Sequence, residues 1–176
     1  NRGFLAFRDP YGIRPLVMGR KRTSQGVAWA FASESTCFDY LGYEVIQDLG
    51  PGEAVFIDMD HKVHHRVCHS AERHFCVFEY IYFAREDSVI HGRTVASERV
   101  RIGKKLGEAF ADSGIEPDIV IDVPSSAYFF ASGLAEELGL NYRRGLAKNQ
   151  YMGRSFIAPT QQERERVVRQ KINPIR

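Results

Sequence analysis

The sequence predicts an α+β region followed by the start of an open α/β sheet, and three observations carry that reading. The first seventy residues alternate short apolar runs with Gly/Pro/Asp turn signals, as β structure does. Near Phe75 the pattern changes, and Val95, Val100, Ile102, Leu106, Ala109 and Phe110 recur at three- or four-residue intervals, as on one helix face. A β-branched run, Asp118-Ile119-Val120-Ile121-Asp122-Val123, then precedes a helix and a further strand, the order of a parallel sheet. The expected boundary falls within residues 72–92, giving domains of 1–74 and 75–176.

In chain order, Phe4-Leu5-Ala6-Phe7-Arg8 is a strand and Asp9-Pro10-Tyr11-Gly12 a turn, since Pro presets φ and Gly tolerates positive φ. Arg14 to Gly19 resumes extended. Val27-Ala28-Trp29-Ala30-Phe31-Ala32-Ser33 is apolar enough to be a strand buried on both faces. Ser35 to Leu41 reads as a short helix capped by Ser33 or Ser35. Leu49-Gly50-Pro51-Gly52 is a turn, and 54–58 pairs with 63–67 in a hairpin around Met59-Asp60-His61-Lys62. Cys76 to Ala84 is an aromatic-rich run. Ser125 to Leu138 is a helix closed by Gly139, Asn141-Tyr142-Arg143 begins the next strand, and a basic loop follows.

A chain of 176 residues, 44% of them apolar, is one large domain or parts of two. Its longest apolar runs are too short to span a bilayer. The opening Asn1-Arg2-Gly3-Phe4 carries neither a start Met nor a secretory leader, and with the abrupt end at Asn173-Pro174-Ile175-Arg176 it leads us to expect a piece of a longer chain. Cys37, Cys68 and Cys76 are odd in number and lack CxxC spacing, so a reducing cytoplasm is expected over a disulfide framework. His61, His64, His65 and His69 lack a repeating ligand spacing and read as surface residues, with metal binding beside Cys68 as the alternative.

Charge is nearly balanced overall, 24 basic against 22 acidic side chains, yet Arg143 to Arg176 holds nine Lys/Arg against Glu163 and Glu165. A local positive field concentrates small anions, while overall balance argues against a nucleic-acid binder. The same excess fits a solvated basic helix over Thr160–Lys171. Val123-Pro124-Ser125-Ser126 lies where a strand feeds a helix, the place where open α/β sheets bind ligands and helix N–H groups meet anions. Ser125 and Ser126 offer hydroxyls for phosphate there, or cap the helix with the same groups. Lys148, Tyr151 and Arg154 sit on a Gly-punctuated loop that reads as a lid. No Walker-type or G-x-G-x-x-G motif occurs.

These residues resemble a known family, the amidophosphoribosyltransferases (glutamine phosphoribosylpyrophosphate amidotransferases). The resemblance rests on Phe7-Arg8-Asp9-Pro10-Tyr11-Gly12-Ile13-Arg14-Pro15-Leu16, Ala32-Ser33-Glu34-Ser35, Pro51-Gly52-Glu53, Glu79-Tyr80-Ile81-Tyr82-Phe83-Ala84-Arg85, Lys148 to Ile157, and Arg169-Gln170-Lys171-Ile172-Asn173. It implies that 1–74 is the C-terminal part of an N-terminal-nucleophile (Ntn) hydrolase glutaminase domain. Residues 75–176 would open a type I phosphoribosyltransferase domain. The implied activity is synthesis of 5-phosphoribosylamine from glutamine and phosphoribosyl pyrophosphate, first step of purine synthesis, by a cytoplasmic homo-oligomer inhibited by purine nucleotides, with neither membrane nor nucleic-acid partners.

The resemblance also implies residue roles. Ser125 and Ser126, with Pro124, match the pyrophosphate loop; Lys148, Tyr151 and Arg154 match the flexible lid; Phe156 and Ile157 match the wall of an ammonia channel. Mg²⁺ would be held by residues outside this stretch. Cys76 aligns with one ligand of the [4Fe-4S] cluster that some members carry. The nucleophilic Cys is expected before Asn1 and the acidic phosphoribosyl pyrophosphate motif after Arg176, so this stretch alone is expected to be inactive. Arg85-Glu86-Asp87-Ser88 departs from the family's Arg-Pro-Asp-Ser. The alternatives are a non-catalytic nucleotide-binding regulatory module, or another glutamine amidotransferase such as an asparagine or glucosamine-phosphate synthase; the phosphoribosyltransferase-like second half argues against the latter.

Overall fold

The computed structural model describes residues 2–69 and 71–175. The expectations about the termini at Asn1 and Arg176 therefore lie outside the described residues. The chain forms two compact units, Asn1–Ala96 and Ser97–Arg176. Residues 75–96 thus pack with the first unit, whereas the sequence reading grouped them with the second.

The first unit is antiparallel. Strand β1 (Gly3–Phe7) pairs with β5 (Glu53–Asp58), and β5 with β6 (Val63–Val67). A second sheet has the order β3 (Gly26–Ala32), β2 (Val17–Thr23), β4 (Glu44–Asp48). Met18, Leu49, Val55 and Ile57 form the buried core, with Trp29 and Phe31 packed against it. The expected hairpin is present at 53–67. Strand β3 is only half-buried, not enclosed on both faces as predicted; its small Ala residues give the run an apolar reading without much bulk to bury. Strand β4 was not foreseen, because Glu44, Gln47 and Asp48 dilute its apolar pattern.

The turn at Asp9 is fixed as its residues dictate. Gly12 adopts φ +62°, its N–H donates to the Asp9 carbonyl, and the Asp9 carboxylate accepts from Tyr11 and Ile13 N–H. Beneath it Arg8, only 5% exposed, donates to the carbonyls of Arg14 (2.8 Å), Leu49 (2.5 Å) and Gly12 (2.8 Å). Burial, followed by Arg73, pulls its pKa down, while Asp48 and Asp9 push it back. Helix α1 (Thr36–Leu41) starts at Ser35, but no serine side chain caps it. Ser35 Oγ instead accepts from the Val89 N–H at 2.8 Å, tying α1 to the later segment.

The aromatic run becomes a single π-helical turn, Glu79–Phe83. Its Glu79 is buried and ion-paired with Arg14, whose guanidinium also lies 5.0 Å from the Phe83 ring centre. Burial raises the Glu79 pKa, and Arg14 opposes the rise. Glu34 accepts from the Arg85 N–H and from Ser88 Oγ. A two-strand ribbon, β7 (Val89–Ile90) with β8 (Arg93–Thr94), then leads into α2 (Val95–Ala111).

In the second unit α2 packs closely on α3 (Tyr128–Leu138). A Cβ at Gly103 would overlap the carbonyl of Phe130, and one at Gly133 the carbonyl of Val100. Glycine at both positions lets the two backbones approach, and Lys104 bridges to Glu136 at 2.8 Å across the pair. Gly139, at φ 65°, closes α3 as expected. The predicted parallel sheet is reduced to a single parallel bridge, Val120 to Tyr142. The mixed α/β character stands, but among the described residues parallel pairing is confined to that bridge, and Ile119, Ile121 and Val123 remain exposed. Strand β9 (Leu146–Lys148) pairs antiparallel with β10 (Ile172–Pro174), and α4 (Gln161–Lys171) lies between them in sequence. Thr160 and Glu163 cap α4 reciprocally.

Candidate functional site

The bridge at Val120 sets up the site. Side chains two residues apart on an extended segment share a side, so Asp122 follows Val120 toward the space where the chain turns into α3. Residues 124–127 form that turn, with a cis peptide at Pro124–Ser125, and α3 begins at Tyr128 rather than at Ser125 as predicted. Across the gap, β9 presents Lys148. The result is a hollow of about 400 Å³ lined by Asp122, Ser125, Tyr142, Arg144, Lys148 and Gln150, with Pro124 and Tyr128 completing its wall.

Two of the expected ligand-binding residues meet there. Lys148 Nζ is 3.4 Å from Ser125 Oγ, a long hydrogen bond between groups 23 residues apart in sequence. Ser126 is exposed in the same turn, and Tyr151, 98% exposed, and Arg154 lie on the following loop; none of these three lines the hollow. Phe156 and Ile157 sit on a 3-10 turn, Ser155–Ile157, and are 68% and 67% exposed.

The loop is held by α4 rather than hanging free. Lys171 Nζ donates to the Gly153 carbonyl at 3.0 Å and Arg164 Nε to the Ala158 carbonyl at 2.9 Å. At the neck of the loop the Asn149 N–H donates to the Lys171 carbonyl. Helix α4 buries no residue, so the solvated basic helix weighed from composition is present, and it also braces the loop.

Asp122, Tyr142 and Arg144, with Tyr128 and Gln150, are residues of the hollow that escaped the sequence reading. Asp122 is buried and its Oδ1 accepts from the Tyr142 hydroxyl at 2.9 Å. Burial, then donation to Asp122, raises the Tyr142 pKa, so the hydroxyl keeps its proton. Arg144 lines the wall with no acidic partner among the described residues. The signal for Tyr142 and Arg144 was their place just beyond a predicted strand; the signal for Asp122 was a carboxylate inside a β-branched run. The hollow combines two cations, the hydroxyls of Ser125, Tyr128 and Tyr142, and a buried carboxylate, a set suited to an anion that also carries hydrogen-bond donors.

In the first unit a hollow of about 490 Å³ is lined mainly by Leu5, Phe7, Pro10 and Ala54 beside Cys68 and His69. The cysteines are free. Among the described residues no group of three or more His, Cys, Asp or Glu could hold a metal ion. Cys76 thus has no companion ligands there, and the residues present do not make up an iron–sulfur or magnesium site. His61, His64, His65 and His69 are exposed; His64 pairs with Asp58 and His65 with Glu53. No helix among the described residues is long and apolar enough to cross a membrane.

No protein-family model matches the chain. It is similar to the amidophosphoribosyltransferase of Haemophilus influenzae, 42% identical over 179 residues, covering 99% of this chain and 35% of that protein. The enzymes of that name from Pseudomonas aeruginosa and Escherichia coli are each 43% identical, covering 98% and 97% of the chain and 35% of each relative. A solved structure described as the allosteric regulatory enzyme of purine biosynthesis matches with TM-score 0.81 and 37% identity over 99% of this chain and 36% of that one. The glutamine phosphoribosylpyrophosphate amidotransferase from B. subtilis, complexed with ADP and GMP, matches with TM-score 0.80 and 37% identity over 99% of this chain and 37% of that one. The resemblance read from the sequence holds across the chain, which spans about a third of the length of the relatives it matches.

Proposed function

We propose that this chain is an internal segment of an amidophosphoribosyltransferase, a glycosyltransferase that makes 5-phosphoribosylamine from phosphoribosyl pyrophosphate and glutamine. Residues 1–74 are the end of its glutaminase domain, and residues 75–176 open its phosphoribosyltransferase domain. The observation that supports this best is the convergence of Ser125 and Lys148 on one hollow, 3.4 Å apart. Ammonia, released from glutamine, attacks C1 of the sugar. The C1–N bond forms, the C1–O bond to the diphosphate breaks, and the leaving group takes the electron pair; the extra proton on nitrogen is then lost.

Ser125 and Ser126 hydroxyls donate to diphosphate oxygens, and the Lys148 ammonium offsets the charge that grows as the bond breaks. Donors aimed at developing charge contribute about 2.7–4 kcal/mol each in such sites. Tyr151 and Arg154 ride on the loop that closes over the sugar and keeps water from it. Phe156 and Ile157 give ammonia an apolar wall, beside which it stays unprotonated. Magnesium would act through the diphosphate with ligands outside this stretch. Purine nucleotides compete for the same phosphate-binding turn, in keeping with the ADP and GMP of the B. subtilis relative.

The test is pyrophosphate release by the full-length parent, dependent on both glutamine and phosphoribosyl pyrophosphate. Lys148→Ala is expected to lower kcat/KM for the sugar substrate by about a hundredfold with glutaminase turnover preserved. Absence of release from the parent, or equal loss of both activities in the variant, refutes the assignment.

A further inference from the structure

We propose that Asp122, aimed by Tyr142, makes the hollow prefer a sugar-borne diphosphate to free diphosphate. The inference rests on the sugar-diphosphate reading above and adds a discriminating residue to it.

A carboxylate in a hollow built for an anion calls for an explanation. Asp122 is 6% exposed and lines the same space as Arg144, Lys148 and Ser125. Among the described residues its side chain has one hydrogen-bond partner, the Tyr142 hydroxyl on Oδ1. A buried carboxylate is acceptor-only, and its remaining lone pairs want donors. Tyr142 cannot turn away to leave it. Its ring packs against the Val120, Ala131 and Ala135 cluster and meets Tyr128 edge-on at 5.4 Å, while the bridge from Val120 fixes its backbone.

Arg144 and Lys148 attract any polyphosphate, whether or not a sugar is attached. Asp122 can tell the two apart. A sugar diphosphate places ring hydroxyls beside its phosphate groups, and one of them can donate to the free carboxylate oxygen. Free diphosphate has no ring hydroxyl to offer and sets only its charged phosphate groups against the same carboxylate. One side chain therefore strengthens the grip on the substrate and weakens the grip on the departing product.

Asp122→Asn is the direct test, because Asn keeps the shape and an acceptor for Tyr142 while losing the charge. Binding of phosphoribosyl pyrophosphate and of inorganic diphosphate to the full-length protein is measured by titration calorimetry, without glutamine or ammonia. The variant is expected to bind the sugar diphosphate about tenfold more weakly and inorganic diphosphate about threefold more tightly. An unchanged ratio, or a parallel loss for both ligands, overturns the proposal. Should the Asn variant fail to fold in a melting control, Tyr142→Phe serves, since it keeps the charge and loosens its aim. That variant is expected to weaken the sugar diphosphate alone, and equal weakening of both overturns the proposal. Wild-type protein that binds neither ligand sinks the sugar-diphosphate reading and this inference with it, an outcome distinct from binding both without discrimination.

Discussion

Arg8 is the sharpest place to probe the first unit. Its guanidinium joins three carbonyls, those of Gly12, Arg14 and Leu49, at 2.5–2.8 Å. Replacing it with Leu leaves three acceptors without their donor. Hydrogen bonds to a charged group contribute about 1.5–3 kcal/mol each, and the cost of burying the charge offsets part of that sum. Loss of about 3–5 kcal/mol is expected, against about 5–15 kcal/mol for a whole domain. Trp29, the single tryptophan, packs on the core cluster that contains Leu49, so its fluorescence reports the loss directly. With a urea slope of about 2 kcal/mol per molar, the midpoint of Arg8→Leu falls by about 2 M. Arg8→Lys supplies charge without the planar fork and recovers only part of the loss. A midpoint shift of Arg8→Leu below about 0.5 M would show that the three contacts do not hold this turn.

Two further outcomes follow from the packing and the charges. Gly133→Ala forces a methyl group against the Val100 carbonyl and is expected to cost about 1–3 kcal/mol, read as a lower melting temperature by circular dichroism; an unchanged melt refutes the close approach of α2 and α3. For Glu53, burial alone would raise the carboxyl pKa, but hydrogen bonds from His65, Gly50 and Gln47 outweigh it and the net shift is downward. A lowered folded pKa adds stability above the ordinary value of 4.5 and loses it as pH falls through the folded value. His65→Ala should therefore flatten the acid limb of the stability curve below about pH 4.5, and an acid limb identical to wild type would contradict the pairing.

Much of the first unit was legible because local chemistry decides it. Asp9-Pro10-Tyr11-Gly12 specifies a turn whatever surrounds it, and the 53–67 hairpin is written in two short runs, 54–58 and 63–67, around a polar corner. Strand β4 was not legible, since Glu44 and Asp48 find their place only through pairing with β2. The Ser35 cap failed for a related reason: the hydroxyl has a distant partner at Val89 that no local rule reveals. In the second unit Ser125 and Lys148 could be picked out by type and position, but Asp122 offered only the hint of a carboxylate inside a β-branched run. Its meaning depends on Tyr142, twenty residues on, and on a one-residue bridge that propensity does not announce. The glycines of α2 and α3 carry no sequence signal beyond a weakened helix; only the closeness of the two axes explains them.

Strand β9 ends on Lys148 and its partner β10 begins on Ile172, which sits directly opposite it. Everything from 149 to 171, loop and helix alike, is thus an excursion that leaves and re-enters through one doorway. Such a closed detour can tilt as a piece without dragging the rest of the fold, and its two feet cannot drift apart. A change at Ile172 or Asn173, neither of which lines the hollow, would shift the doorway and with it the ammonium of Lys148.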